Sequence, residues 1–127
     1  MCKAGIIHRL PFTARHLVMC LVLASCGSIA EDSAAGRAQT EMIGMSKAQV
    51  LACMGPAERT AAEGTLEVWQ YNVGEVTGFR GNVAQSACQV DVQWGAGKVA
   101  SVSYRTQNAR LLAPNALCGQ AVARCLR

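Results

Sequence analysis

Gly44-Met45-Ser46-Lys47-Ala48-Gln49-Val50-Leu51-Ala52-Cys53-Met54-Gly55-Pro56 carries its own start and stop signals. Ser46 followed three residues later by Gln49 has the form of a capping box, each side chain bonding the other's backbone N–H, and Met45 with Val50 fills the two places of a hydrophobic staple. Val50, Cys53 and Met54 then recur at i, i+3 and i+4, which makes one apolar stripe. Gly55 suits the left-handed position after a helix, and Pro56 forbids its continuation. A short helix with a single buried face is expected here.

Beyond Pro56 the period changes to two. Thr65 to Val73 sets Trp69, Tyr71 and Val73 on one face; Cys88 to Trp94 alternates Cys88, Val90, Val92 and Trp94 with Gln89, Asp91 and Gln93. Gly95-Ala96-Gly97 reads as a hairpin turn, and Val99 to Arg105 returns with Ala100, Val102 and Tyr104 on the apolar side. A weaker strand is expected over Ala57 to Ala61. One apolar face per strand implies an antiparallel sheet, wet on one side and covered by helix on the other. After Pro114, Leu117, Cys118, Ala121, Val122, Cys125 and Leu126 return to helical spacing and predict a short terminal helix. The fold class expected is α+β, a short N-terminal helix on a three- to four-stranded antiparallel sheet with a disulfide-linked C-terminal helix.

Charge is distributed unevenly around this domain. The chain has 127 residues, 12 Lys+Arg against 8 Asp+Glu. Lys3, Arg9 and Arg15 precede position 26 and every acid follows it, so removing those three leaves nine basic against eight acidic residues. Nucleic-acid binding loses its electrostatic support. Both histidines, His8 and His16, lie in the same segment, so a chain starting near 26 has none for a Ser-His-Asp triad or a histidine metal site.

Residues 1–25 have the parts of an export signal: a basic start, an apolar run from Leu17 to Ala24, then Leu23-Ala24-Ser25-Cys26. The run is short of the ~20 residues of a membrane-spanning helix. The final tetrapeptide resembles the lipobox, whose cysteine receives a diacylglyceryl thioether, so Cys26 is expected as the lipid attachment site and first mature residue. Gly27 after it, in place of the aspartate that signals inner-membrane retention, implies the outer membrane, facing the periplasm. An ordinary signal peptide, with Cys26 in a disulfide, is the alternative. Residues 26–39 are small, polar and without apolar period; they are expected as a lipidated flexible tether of about 20 Å reach, leaving 40–127 as the domain.

Cys53, Cys88, Cys118 and Cys125 remain, an even number suited to two disulfides in an oxidising compartment. If 118–125 is helical, its two cysteines are about 10 Å apart along the axis, too far to join each other. Each therefore seeks a separate partner, and Cys53 with Cys118 and Cys88 with Cys125 is placed ahead of the crossed pairing. A four-cysteine zinc site is the competing use, although no Cys-x-x-Cys occurs. No cofactor is expected.

The glycine-capped helix, Glu67-Val68-Trp69-Gln70-Tyr71 and the Cys88–Val102 hairpin together resemble the SmpA/OmlA family of BamE-like small outer-membrane lipoproteins. The resemblance spans about residues 40–105. It implies a helical part on a three-stranded antiparallel sheet, and a non-enzymatic role in outer-membrane protein assembly or envelope integrity, with an envelope protein partner such as the barrel-assembly complex. The domain cysteines and the Cys118…Cys125 segment depart from that pattern.

Other chemistry is weakly signalled. Gly44-Met45-Ser46-Lys47-Ala48 approaches a nucleophile elbow, but Ser46 is claimed by the cap. Glu67 and Asp91 are candidates for neighbours on the polar face, as a carboxylate pair. Residues 74–87 are expected as a long connection, plain disorder placed ahead of a contact role in which Phe79 and Arg80 would offer an apolar-plus-charged partner surface. The expectation is a lipid-anchored scaffold or accessory protein; the alternative is a periplasmic binding or inhibitor module for a protein or cell-wall ligand, with a small hydrolase third.

Overall fold

A segment with hardly any large apolar side chains forms the first element of the computed structural model, which describes residues 29–79, 82–109 and 111–127. Residues 29–41 are helical (α1), with Ala34, Ala35, Ala38 and Met42 buried along one side. This corrects the expected flexible tether. Alanine has the best intrinsic helix propensity, and a face of methyl groups lets a helix approach its neighbours closely. A search for large apolar residues at helical spacing cannot see such a face. Arg37 Nε donates to Glu41 Oε1 at 2.9 Å on the exposed side.

α2 spans Lys47–Met54, and both halves of the capping box are made: Gln49 N–H donates to Ser46 Oγ, and Ser46 N–H donates to Gln49 Oε1 at 2.8 Å. Gly55 ends it at φ 81°, ψ −168°, a region essentially reserved for glycine. Its carbonyl accepts the Tyr71 hydroxyl at 3.2 Å, fixing the helix end to the sheet.

Four strands follow in sheet order β1 (Arg59–Glu63), β2 (Leu66–Phe79), β3 (Asn82–Gly95) and β4 (Lys98–Gln107), every neighbour antiparallel. The weaker strand thus lies two residues later than expected. The expected connection over 74–87 is itself paired, down to Phe79 opposite Asn82. Val76, Thr77 and Val83 within this stretch favour extended backbone.

Trp69, Tyr71, Cys88, Val90, Val92, Trp94, Val99 and Val102 are buried on the inner face. Ala35, Ala38, Met42, Val50, Cys118 and Val122 of the helical layer complete the same core. A register shift at Gln93/Trp94 places Val99 opposite Trp94 and Ser101 opposite Gln93. The extra residue, Ala100, is turned outward, which corrects its expected place on the apolar side. The edge at β4 is partly covered: Val99 exchanges backbone hydrogen bonds with Gly44 and Met45, both 2.9 Å, and Val102 C=O accepts from Gln39 Nε2.

The terminal element is α3 (Ala116–Val122) followed by a 3₁₀ turn (Ala123–Cys125). Its cysteines do go to separate partners, but the pairing is the crossed one: Cys88–Cys118, with Cα atoms 5.4 Å apart, and Cys53–Cys125, 5.1 Å. The chain passes the three-stranded stretch of β3 around Cys88 first, then runs toward the last turn of α2, so the earlier cysteine meets the strand. By chain entropy, bridges between residues 30 and 72 apart contribute about 4 kcal/mol each. Between the two cysteines lies Gly119, where a Cβ would overlap the backbone carbonyl of Glu31 in α1.

Gly36 is exposed in mid-helix with nothing near where a Cβ would stand, so Gly36→Ala should stabilise by about 1 kcal/mol in urea unfolding. Gly119→Ala should destabilise by about 3 kcal/mol; a loose N-terminal segment would leave both variants silent. Peptide mapping without reductant should recover Cys53 joined to Cys125 and Cys88 to Cys118, and no fragment joining Cys53 to Cys118.

Candidate functional site

The residues singled out from sequence fall in different places. Cys26 and Arg80 lie outside the described residues. Phe79 closes β2, paired with Asn82. Ser46 is engaged as the cap of α2. Cys53, Cys88, Cys118 and Cys125 are all consumed in disulfides, and among the described residues no group of three His, Cys, Asp or Glu could hold a metal. Glu67 pairs with Trp94 and Asp91 with Gln70, so the register puts the two carboxylates on opposite faces of the sheet. They are not the neighbours they were expected to be.

Glu67 belongs to a cluster that sequence reasoning missed. It accepts hydrogen bonds from Lys47 Nζ and from Trp69 Nε1, the latter at 2.7 Å. The ammonium stands 5.7 Å from both the Trp69 and Trp94 ring centroids, and the two indoles meet edge to face at 4.8 Å. The hydrogen bond from Lys47, then that from Trp69, holds the Glu67 carboxyl below the usual carboxylate range. Trp94 Nε1 is buried and finds no acceptor among the described residues. The available signal was parity: Glu67 shares the phase of Trp69 and Tyr71. The cluster ties the first turn of α2 to the sheet rim.

Asp91 is the one buried charged residue among those described, 7% exposed though it lies on the open face. Arg105 Nη2 donates to it at 2.6 Å and Gln89 Nε2 at 2.7 Å. With Gln70 and Gln93 nearby in register, this face presents amide and guanidinium groups.

A distinct pole gathers the remaining features. β1 pairs only as far as Gln70 and β4 only as far as Ala87, so Glu75–Phe79 and Asn82–Ser86 form a two-stranded ribbon beyond the four-stranded sheet. Its base is held by Asn108, whose Nδ2 donates to Gln85 C=O at 2.7 Å and whose carbonyl accepts from Ser86 Oγ at 3.1 Å. The segment leading to α3 runs beside the start of α1: Asn115 N–H donates to Asp32 Oδ1 at 2.7 Å, and Gln120 Nε2 to Glu31 Oε1 at 3.0 Å. On that segment Leu111 is 100% and Leu112 92% exposed. Among the described residues no helix is long and apolar enough to cross a membrane.

Two phenols hold the layers together and report on them. Tyr104 Oη donates to Ala35 C=O in α1 at 2.7 Å, and burial pushes its pKa up to about 12; burial also raises Tyr71. Stability from a raised phenol is present below the ordinary tyrosine value near 10 and lost as pH rises through the folded value. Ultraviolet difference titration should therefore show Tyr104 ionising near pH 12, with thermal stability falling across that interval; Tyr104→Phe should flatten the fall.

Comparison with family models, with curated proteins and with solved structures finds no match to this chain.

Proposed function

We propose that this protein is a non-enzymatic lipoprotein of SmpA/OmlA type, acylated at Cys26, held at the outer membrane facing the periplasm, and acting there as a scaffold or accessory to an envelope protein assembly. The observation that carries this reading is the tetrapeptide Leu23-Ala24-Ser25-Cys26 after a basic and apolar leader. Two disulfides in the domain fit an oxidising compartment. The residues that offered chemistry support a non-catalytic role: Ser46 caps a helix, and Glu67 and Asp91 are on opposite faces.

The mechanism is restraint. Helix is already formed at Ile29, only three residues after Cys26, a span of at most about 11 Å. The domain is thereby held much closer to the bilayer than a flexible tether would hold it, and its contact surface is concentrated near a membrane-bound partner. The β2–β3 ribbon suits such a contact: its five pairs project about 17 Å, and its unpaired edges can accept a strand from a partner.

A second reading, a module that captures a protein or cell-wall ligand, is favoured by the open sheet face bearing Gln89, Asp91 and Arg105. Cys26→Ala should accumulate as a full-length, unacylated precursor lost from the membrane fraction; normal processing and membrane retention of that variant would refute the anchor. Crosslinking in intact cells separates the roles, since capture of barrel-assembly components supports the scaffold, and a single unrelated partner supports the module.

A further inference from the structure

The most solvent-exposed apolar side chains described, Leu111 at 100% and Leu112 at 92%, are adjacent, in a turn whose next residue, Ala113, is buried at 4%. The turn is thus rooted in the core while both leucines stand in water. A leucine pair so placed either has an apolar partner or carries a standing cost. Its position says which partner. Three residues beyond Leu112, Asn115 N–H is bonded to Asp32 Oδ1; Gln120 Nε2 reaches Glu31, and Gly119 lies directly against the Glu31 backbone. The leucine turn therefore sits at the N-terminal end of α1. Ile29, in the same end of that helix, is a third exposed apolar residue, 58% accessible.

We propose that the Leu111–Leu112 turn inserts into the lipid bilayer as a second membrane contact beside the acylated N-terminus. This rests on the reading of Cys26 as the anchor. Cys26 is within about 11 Å of Ile29, so a bilayer that takes up its acyl chains must lie at this pole of the domain. Two leucines have fewer carbons than one myristoyl chain, which by itself binds membranes only marginally. They are too little to recruit a free protein. Beside a permanent anchor, however, insertion is an intramolecular step at high effective concentration. It then fixes which way the domain faces, and directs the opposite pole, with the β3–β4 turn, away from the lipid. The chemistry recognised is hydrocarbon, not charge. Among the described residues, the carboxylates at this pole, Glu31 and Asp32, each already accept a hydrogen bond, and neither would attract an anionic headgroup.

The test uses the protein purified from membranes, reconstituted in phosphatidylcholine vesicles containing brominated lipid, after mass spectrometry of its N-terminus. Leu112→Trp places a fluorophore on the turn, and Leu51→Trp, at an exposed site on α2, serves as control; both should melt like the parent. Bromolipid should quench at least half of the added Leu112→Trp emission and leave the added Leu51→Trp emission unchanged. Equal quenching in the two variants of an acylated protein would overturn the insertion while leaving the anchor intact. A protein without acyl chains would remove the anchor and the insertion with it.

Discussion

The segment from Cys118 to Cys125 is the constraint on which the other elements depend. One disulfide fastens it to β3 and the other to α2, so a single short helix with its 3₁₀ turn joins the sheet to the helical layer covalently. α1 then docks against the same piece, and it can do so because Gly119 leaves room for the Glu31 backbone. Remove that surface and α1 keeps only its contacts with the sheet, through Tyr104 and Val102. The order of dependence runs opposite to chain order, from the C-terminus to the first described helix.

The layering explains how the two sides of the sheet diverge. Inward, Trp69, Tyr71, Val90, Val92 and Trp94 share one core with Ala35, Ala38, Met42, Val50, Cys118 and Val122 of the helical layer. Small residues in the covering layer accommodate large ones in the sheet, and the two tyrosine hydroxyls are satisfied by carbonyls at a helix end and a helix interior. Outward, the same strands carry Gln70, Gln89 and Gln93, and an aspartate nearly buried beneath Arg105 and Gln89. A carboxylate covered by two donors on an otherwise open face is held rigidly, which lends that face a defined pattern of donors and acceptors.

What could be read from the sequence depended on whether local signals carried their own stops. α2 was fully legible because Ser46, Gln49, Val50, Gly55 and Pro56 act on one another within a few residues. The strands were legible by alternation, except where a bulge exchanged Ala100 for Val99 and along the ribbon. α1 was not legible, because its buried face consists mainly of alanines whose partner is far away in sequence. The disulfide partners were foreseen as a set, while the pairing depended on the direction in which α3 crosses the sheet, which no local pattern records. The Lys47–Glu67 contact with the two tryptophans joins residues from helix and sheet, so parity alone hinted at it. The leucines at 111 and 112 gave no sign of exposure, since their place in an unpaired turn is a property of the fold.

The covalent fastening of α3 also makes the folded state conditional on chemistry outside the chain. Two bridges of about 4 kcal/mol each amount to much of the 5–15 kcal/mol that separates native from unfolded proteins. Kept as dithiols, the four cysteines would leave α3 loosely attached and α1 less firmly seated, and the folded state would lose much of its margin. The thiol–disulfide balance of the surroundings would therefore set how firmly this chain holds its shape, because the piece that seats α1 is itself held by oxidised sulfur.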